Sequence, residues 1–289
     1  MRTFVVTATL GLVLVVGMLT SLHAAGCSGG IIVDTAFRAG ILFGHQRVRQ
    51  TNPPEAVTDG FRTEVSPRLP VISGMFELSP LSMLSARAAG ATSVFETDMS
   101  LRQTRGDSLG GSMWNVNPNF RSYEGAVLVH ICAAGAYRFS AVGGYRQEDW
   151  NYPGSATGIQ PAGSELRDQY RSEIPFFGLQ TTMFFPWWKA RVEVLGSPWV
   201  SKRLFTSIKD GNNIDYTGYL NEGGLIEVQV DGSAQLTSLL RCGLYGRYSY
   251  QDLNGLVSGP SLDGTFRQKY KMYMGESFAI LGLNFNVAF

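Results

Sequence analysis

Apolar and polar residues alternate with a period of two through most of the chain. From Gly275 to Phe289 the odd positions carry Ala279, Leu281, Leu283, Phe285, Val287 and Phe289. The even positions carry Glu276, Gly282, Asn284, Asn286 and Ala288, interrupted by Phe278 and Ile280. A period of two puts successive side chains on opposite faces of a strand, whereas a helix would repeat its apolar residues every three or four. The pattern recurs: Phe37, Ala39, Ile41 and Phe43 against Asp34 and Arg38; Tyr137, Phe139 and Tyr145 against Arg138, Arg146 and Glu148; Leu240, Leu244 and Tyr248 against Arg241 and Arg247. Such runs predict ten strands, at 31–49, 66–78, 84–104, 123–134, 137–150, 170–185, 189–207, 217–230, 235–251 and 268–289.

The links between them have their own rhythm. Short ones at 79–82, 135–136, 186–188 and 231–234 alternate with long ones at 51–65, 105–121, 151–169, 208–215 and 253–267, all rich in Gly, Pro, Asn, Asp and Ser. Tight turns at one end and larger loops at the other are the pattern of an outer-membrane barrel, and ten strands return both termini to the periplasmic side. No amphipathic helical stretch of about ten residues is available to cover the apolar face, so lipid must cover it and charges must turn inward. The expected fold is all-β: a ten-stranded antiparallel transmembrane β-barrel of outer-membrane type. Rings agree with it, since Phe184, Phe185, Trp187 and Trp188 flank a short turn while Tyr145, Trp150 and Tyr152 lie toward a far strand end.

Before the first strand, Met1-Arg2 opens an apolar run from Phe4 to Leu22 that closes on Ser21-Leu22-His23-Ala24-Ala25-Gly26. Residues 1–25 read as a secretory signal cleaved near Ala24 or Ala25, with a retained anchor as the alternative, and residues 26–289 as one barrel domain exported to the outer membrane. Cys27 follows a faint lipoprotein box that lacks its usual branched residue, which leaves lipidation open.

Composition sharpens this. The chain has 289 residues, 16% charged, with 34 glycines, 24 basic against 23 acidic residues, and three cysteines. A net charge of +1 gives no field toward nucleic acid, and three cysteines exclude a disulfide scaffold. Charge is scarce because half of every spanning strand must face lipid. The candidate chemistry is therefore an inward charge network of Asp34, Arg38, Glu96, Asp98, Arg102, Glu124, His130, Arg138, Arg146, Arg241, Arg247 and Glu276, joined by Glu148 and Glu227. Two readings stand beside each other. A charge-lined pore would select solutes; a lumen filled by paired charges would be plugged, since a buried unpaired charge is costly and ten strands are only slightly wider than the eight whose side chains fill the interior. His130 reads as a hydrogen-bonded lumen residue, since no Cys/His/Asp cluster has ligand spacing. Glu96 and Asp98, on one face with Arg102 one step along, read as an ion-pair network, and the parity of Cys132 and Cys242 sets them on opposite faces. No metal or cofactor is implied.

Three segments resemble the omptin family of outer-membrane proteases. Ile174-Pro175-Phe176-Phe177-Gly178-Leu179 is similar to the start of that family's sixth strand, Gly196-Ser197-Pro198-Trp199-Val200 to the end of its seventh, and Tyr137 to Gly144 more loosely to a strand opening on Tyr-Arg. The likeness covers about residues 123–289. It implies a ten-strand barrel and, for a protease, an Asp pair at the top of the third strand with an Asp-x-His after the Trp-Val of the seventh. Here Thr206, Ser207 and Ile208 follow Trp199 at that distance, and Asp107 stands alone after the third strand. Of three histidines, only His45 nears the outer end, and its parity points outward. The catalytic residues are thus unmatched and none is assigned. The alternating strand ending in Phe289 also resembles the signal read by the outer-membrane assembly machinery. The expected function is a non-catalytic outer-membrane barrel with a structural or surface-interaction role through loops at 105–121, 151–169 and 253–267. Its partners are the outer-membrane bilayer, including lipopolysaccharide, and not nucleic acid. A narrow porin-like channel and a divergent omptin-type endopeptidase are the alternatives.

Overall fold

A computed structural model describes residues 32–51, 61–95, 97–105, 112–157, 164–209, 213–260 and 267–288. The signal segment, Cys27, Glu96, Asp107 and Phe289 lie outside the described residues. None of those described is helical; fourteen strands form one antiparallel sheet. They are β1 (Ile32–Thr51), β2 (Phe61–Val65), β3 (Arg68–Leu81), β4 (Leu84–Ser93), β5 (Met99–Arg105), β6 (Ser112–Val116) and β7 (Asn119–Ala134). There follow β8 (Tyr137–Thr157), β9 (Glu165–Phe184), β10 (Trp188–Ser197), β11 (Ser201–Lys209), β12 (Asn213–Gln235), β13 (Leu240–Pro260) and β14 (Arg267–Ala288).

The sheet closes on itself. β1 pairs with β14 from Asp34–Ala288 to Thr51–Lys271, and on its other edge with β3 and β2. Closure leaves no unpaired edge, which an isolated sheet would have to protect. At this seam Gly40 faces Gly282, and the fit needs glycine: a Cβ on Gly282 would lie 2.3 Å from the Ala39 carbonyl oxygen.

Several strands are two halves of one stave. β2 and β3 both pair with β1, interrupted by Ser66 and Pro67; β5 continues β4, β7 continues β6 across Asn117 and Pro118, and β11 continues β10. Proline has no N–H for the ladder, so pairing breaks there while direction is kept. The carbonyl of Pro67 still accepts from the Gly44 N–H at 2.8 Å.

Every predicted strand overlaps a described one, but the strands run further at the loop end. The segment expected at 170–185 is Glu165–Phe184, and that expected at 137–150 reaches Thr157. Much of the three loops expected to carry interaction is accordingly strand. Turns fall at 82–83, 135–136, 185–187 and 236–239. Gly135, at φ 59°, takes the left-handed region its turn requires. The turn expected at 231–234 moves: Asp231-Gly232-Ser233 has turn composition, yet β12 continues to Gln235 because Asp231 is buried in ion pairs and its neighbours pair on both sides.

Candidate functional site

The inward faces enclose a lumen with two unlike halves. The half nearer the short turns is charged. Arg87 on β4 makes a two-point contact with Glu193 on β10, at 2.6 and 2.9 Å, and reaches Glu124 on β7 at 3.0 Å. Arg146 on β8 bonds Glu124 at 2.7 Å and grips Glu227 on β12 at 2.6 and 2.8 Å. Arg247 on β13 bonds Glu227 and Glu148, both at 2.8 Å. No strand pairing joins β4 to β10, or β8 to β12. These pairs are chords across the lumen, not ladders along its wall. Nearer the turns Asp231 accepts from Arg38 at 2.9 Å and Asn284 at 2.6 Å, Arg191 lies 3.4 Å from Glu77, and Lys189 pairs with Asp34. Fork-shaped guanidinium–carboxylate contacts of this kind are directional and strong, and each leaves few unsatisfied donors.

Toward the loop end the lumen is apolar. Leu42, Val48, Leu101, Trp114, Phe120, Trp150, Tyr152, Tyr170, Leu204 and Phe278 pack into one buried cluster. Trp150 stacks on Phe278 at 4.7 Å and on Tyr152 at 5.8 Å. Inside this cluster Lys202 pairs with Glu276, both side chains 0% exposed, and Gln46 donates to the same carboxylate at 2.8 Å. Asp168 accepts from Thr206 at 2.5 Å and from Tyr170. Two cavities in this half, beside Asp168 and beside Trp150, measure about 20 and 10 Å³, each about the room of a single water.

The expected network is placed unevenly. Asp34, Arg38, Glu124, Arg146, Arg247 and Glu276 all face inward and are paired. His130 also faces inward, bonded to Ser85 and Ser140 at 2.8 Å each. Arg138 is half-buried over the Phe184 ring at 4.9 Å, and Arg241 is half-buried across from Asn286, neither in an ion pair among the described residues. Asp98 and Arg102 correct the expectation: both are exposed on the outer wall, while Leu101 between them is core. The reason is the apolar half. There the greasy face of a strand points inward, so an apolar residue no longer marks the outside. Phe278 and Ile280, which interrupt the C-terminal alternation, are buried for the same cause. Cys132, expected inward, is exposed: a register shift after His130 sets it opposite Phe139. Sequence reading passed over Arg87, Lys189, Arg191, Glu193, Asp231 and Lys202. Lys189, Arg191 and Glu193 at alternate positions were a readable signal.

The outer wall is banded. Along β9 the outward positions run Glu165, Arg167, Gln169, Arg171 and Glu173, then Phe177 and Leu179; along β1 they run Phe37, Ile41 and Phe43, then His45, Arg47 and Arg49. Beyond the apolar band lies a cleft of about 630 Å³ lined by Arg121, Arg171, Arg203, Asp149, Asn151 and Gln169. His45 belongs to the wall, bonded to Ser66 at 3.2 Å.

No protein-family model matches the sequence, and no curated protein matches it. Solved structures do. The outer membrane protease OmpT from Escherichia coli superposes with a TM-score of 0.78 at 13% identity, covering 89% of this chain and 97% of its own. The translocator domain of the autotransporter NalP from Neisseria meningitidis matches with a TM-score of 0.39 at 9% identity, over 95% and 96% of the two chains. The toluene transporter TodX from Pseudomonas putida gives 0.36 at 10%, over 87% and 89%. The first of these shows that this closed antiparallel sheet has the architecture of the omptin barrel.

Proposed function

We propose that the chain is a ten-stave outer-membrane barrel with a closed lumen, acting as a non-catalytic structural and surface-interaction protein. Counting β2 with β3, β4 with β5, β6 with β7 and β10 with β11 gives the ten staves. The observation that carries the reading is the double block: arginine–carboxylate chords cross the charged half, and side chains fill the other. Among the described residues both blocks stand across the route a solute would take. Of the positions where the omptin resemblance would place proteolytic groups, Asp107 lies outside the described residues, while Ile208 is buried and Thr206 donates to Asp168, which supports the non-catalytic reading. Asp168 has no histidine beside it among its described partners.

The banded outer wall fits lipid against the apolar zone. The arginine cleft beyond it fits phosphate groups of lipopolysaccharide, since guanidinium forks match phosphate oxygens. Export through residues 1–25 and assembly through Phe289 complete the reading.

Purified protein in planar bilayers is expected to show no discrete current steps, and with dibasic peptides no cleavage above background. Steps whose ion preference reverses in Arg241→Glu would establish a channel instead. Cleavage abolished by Asp98→Ala or Asp107→Ala would establish a protease.

A further inference from the structure

The inner mouth of the barrel, at the short-turn end, carries more positive charge than its own carboxylates neutralise. Deeper in, Arg38 and Arg191 balance Asp231 and Glu77. Among the described residues at the rim, Arg138, Lys189 and Arg241 meet one carboxylate, Asp34. Lys189 pairs with Asp34. Arg138 and Arg241 have no carboxylate within ion-pair distance among the described residues.

The three lie on one arc. Arg138 and Lys189 flank a single ring, at 4.9 and 5.6 Å from the centre of Phe184. Arg241 pairs across the ladder with Asn286, which pairs with Ala36, two residues from Asp34. Between Lys189 and the start of β13, Ser233 stands directly opposite Lys189 in the β10–β12 register. Ser233 is 4% exposed, and its hydroxyl has no hydrogen-bond partner among the described residues. A buried hydroxyl left unpaired is costly, so this one is free to donate to an oxygen that reaches it. Arg138 faces no carboxylate at ion-pair distance among the described residues, and Arg241 shares the field of Asp34 with Lys189, so one carboxylate answers two cations and desolvation strengthens the demand for another anion.

We infer that this arc is a binding site for an anionic group, phosphate or carboxylate, entering from the turn side. Arg138, Lys189 and Arg241 supply charge, and Ser233 supplies a neutral donor. The Phe184 ring lies under the Arg138 guanidinium and beside the Lys189 ammonium and holds both cations in place, with the guanidinium N–H groups left to donate to oxygen atoms. The site is on the opposite end of the barrel from the outer arginine cleft and does not depend on the role proposed for that cleft.

The probe is inorganic pyrophosphate, titrated calorimetrically into the full chain in zwitterionic detergent at low salt. Saturable one-site binding is expected, weakened about tenfold or more in Arg138→Gln/Arg241→Gln and unchanged in Arg171→Gln/Arg203→Gln on the outer wall. Ser233→Ala, which removes a donor without touching charge, should weaken binding by a smaller factor and guards against a misfolded double variant. Heat-dependent gel mobility checks each barrel. An absence of saturable heat, equal affinity in the inner double variant, or loss with the outer-wall pair overturns the assignment. Repeating the titration in nanodiscs identifies the source. Affinity that falls as phosphatidylglycerol replaces phosphatidylcholine marks a lipid headgroup as the occupant, and affinity that does not marks a soluble anion.

Discussion

Removing Arg146 tests the chord network most directly. Its side chain is 1% exposed and touches three carboxylates: Glu227 at 2.6 Å, Glu124 at 2.7 Å and Glu148 at 3.7 Å. The cluster holds three arginines (87, 146 and 247) and four glutamates (124, 148, 193 and 227), a formal sum of −1. Arg146→Leu makes that sum −2 and leaves Glu124 to Arg87 and Glu227 to Arg247. Stranding a buried charge in this way costs about 3–5 kcal/mol. Neutralising one stranded carboxylate should recover part of the loss. The double variant Arg146→Leu/Glu227→Gln is therefore expected to lose less than the two single changes together, by about 1–3 kcal/mol, the usual coupling of residues in one network. Urea unfolding in micelles, followed by tryptophan fluorescence and gel mobility, measures all four corners of the cycle. Additivity within about 0.5 kcal/mol would refute the claim that these residues act as one unit. The same variants should still pass no current, because the apolar half remains closed.

Other consequences are open to simpler assays. Asp168 lies beyond the apolar band, and burial pushes its carboxyl up to about 6, with Thr206 and Tyr170 opposing part of that rise. A carboxyl raised above the unfolded value near 3.9 contributes stability below about pH 4 that is lost as pH rises through about 6, roughly 3 kcal/mol in all. Asp168→Asn should therefore flatten the profile between those limits and be more stable than the parent at alkaline pH; an unchanged profile would place the titration elsewhere. Lys202→Met leaves Glu276 with Gln46 alone and should cost about 3–5 kcal/mol in the same urea assay, with Lys202→Met/Glu276→Leu less affected. Gly282→Val drives a side chain into the β1–β14 seam, where even a Cβ stands 2.3 Å from a carbonyl, and should abolish the heat-modifiable band on refolding. Arg171→Gln/Arg203→Gln should reduce lipopolysaccharide retained through purification while leaving the urea midpoint nearly unmoved, since both side chains are exposed.

Alternation alone determined a great deal. A period of two, with short and long links in turn, fixed the all-β antiparallel character and the placing of Arg38, Glu124, Arg146, Arg247 and Glu276 on one face. That legibility has a physical root: neighbouring side chains on a strand cannot share a face, so a one-residue pattern reports a two-sided environment. What alternation could not report is which side is which. At Phe37, Ala39, Ile41 and Phe43 apolar means outward, and at Leu42, Leu101, Leu204 and Phe278 it means inward. Only closure of the sheet, which brings Trp114, Trp150 and Phe278 together from distant parts of the chain, makes the outer half of the lumen apolar and reverses the sign. Asp98 and Arg102 were misplaced for that reason. The partners of each charge were equally hidden. Arg87 and Glu193 are joined across the barrel, and nothing in either strand's sequence names the other. Pairing across a lumen depends on diameter and stagger, which exist only once the last strand has met the first.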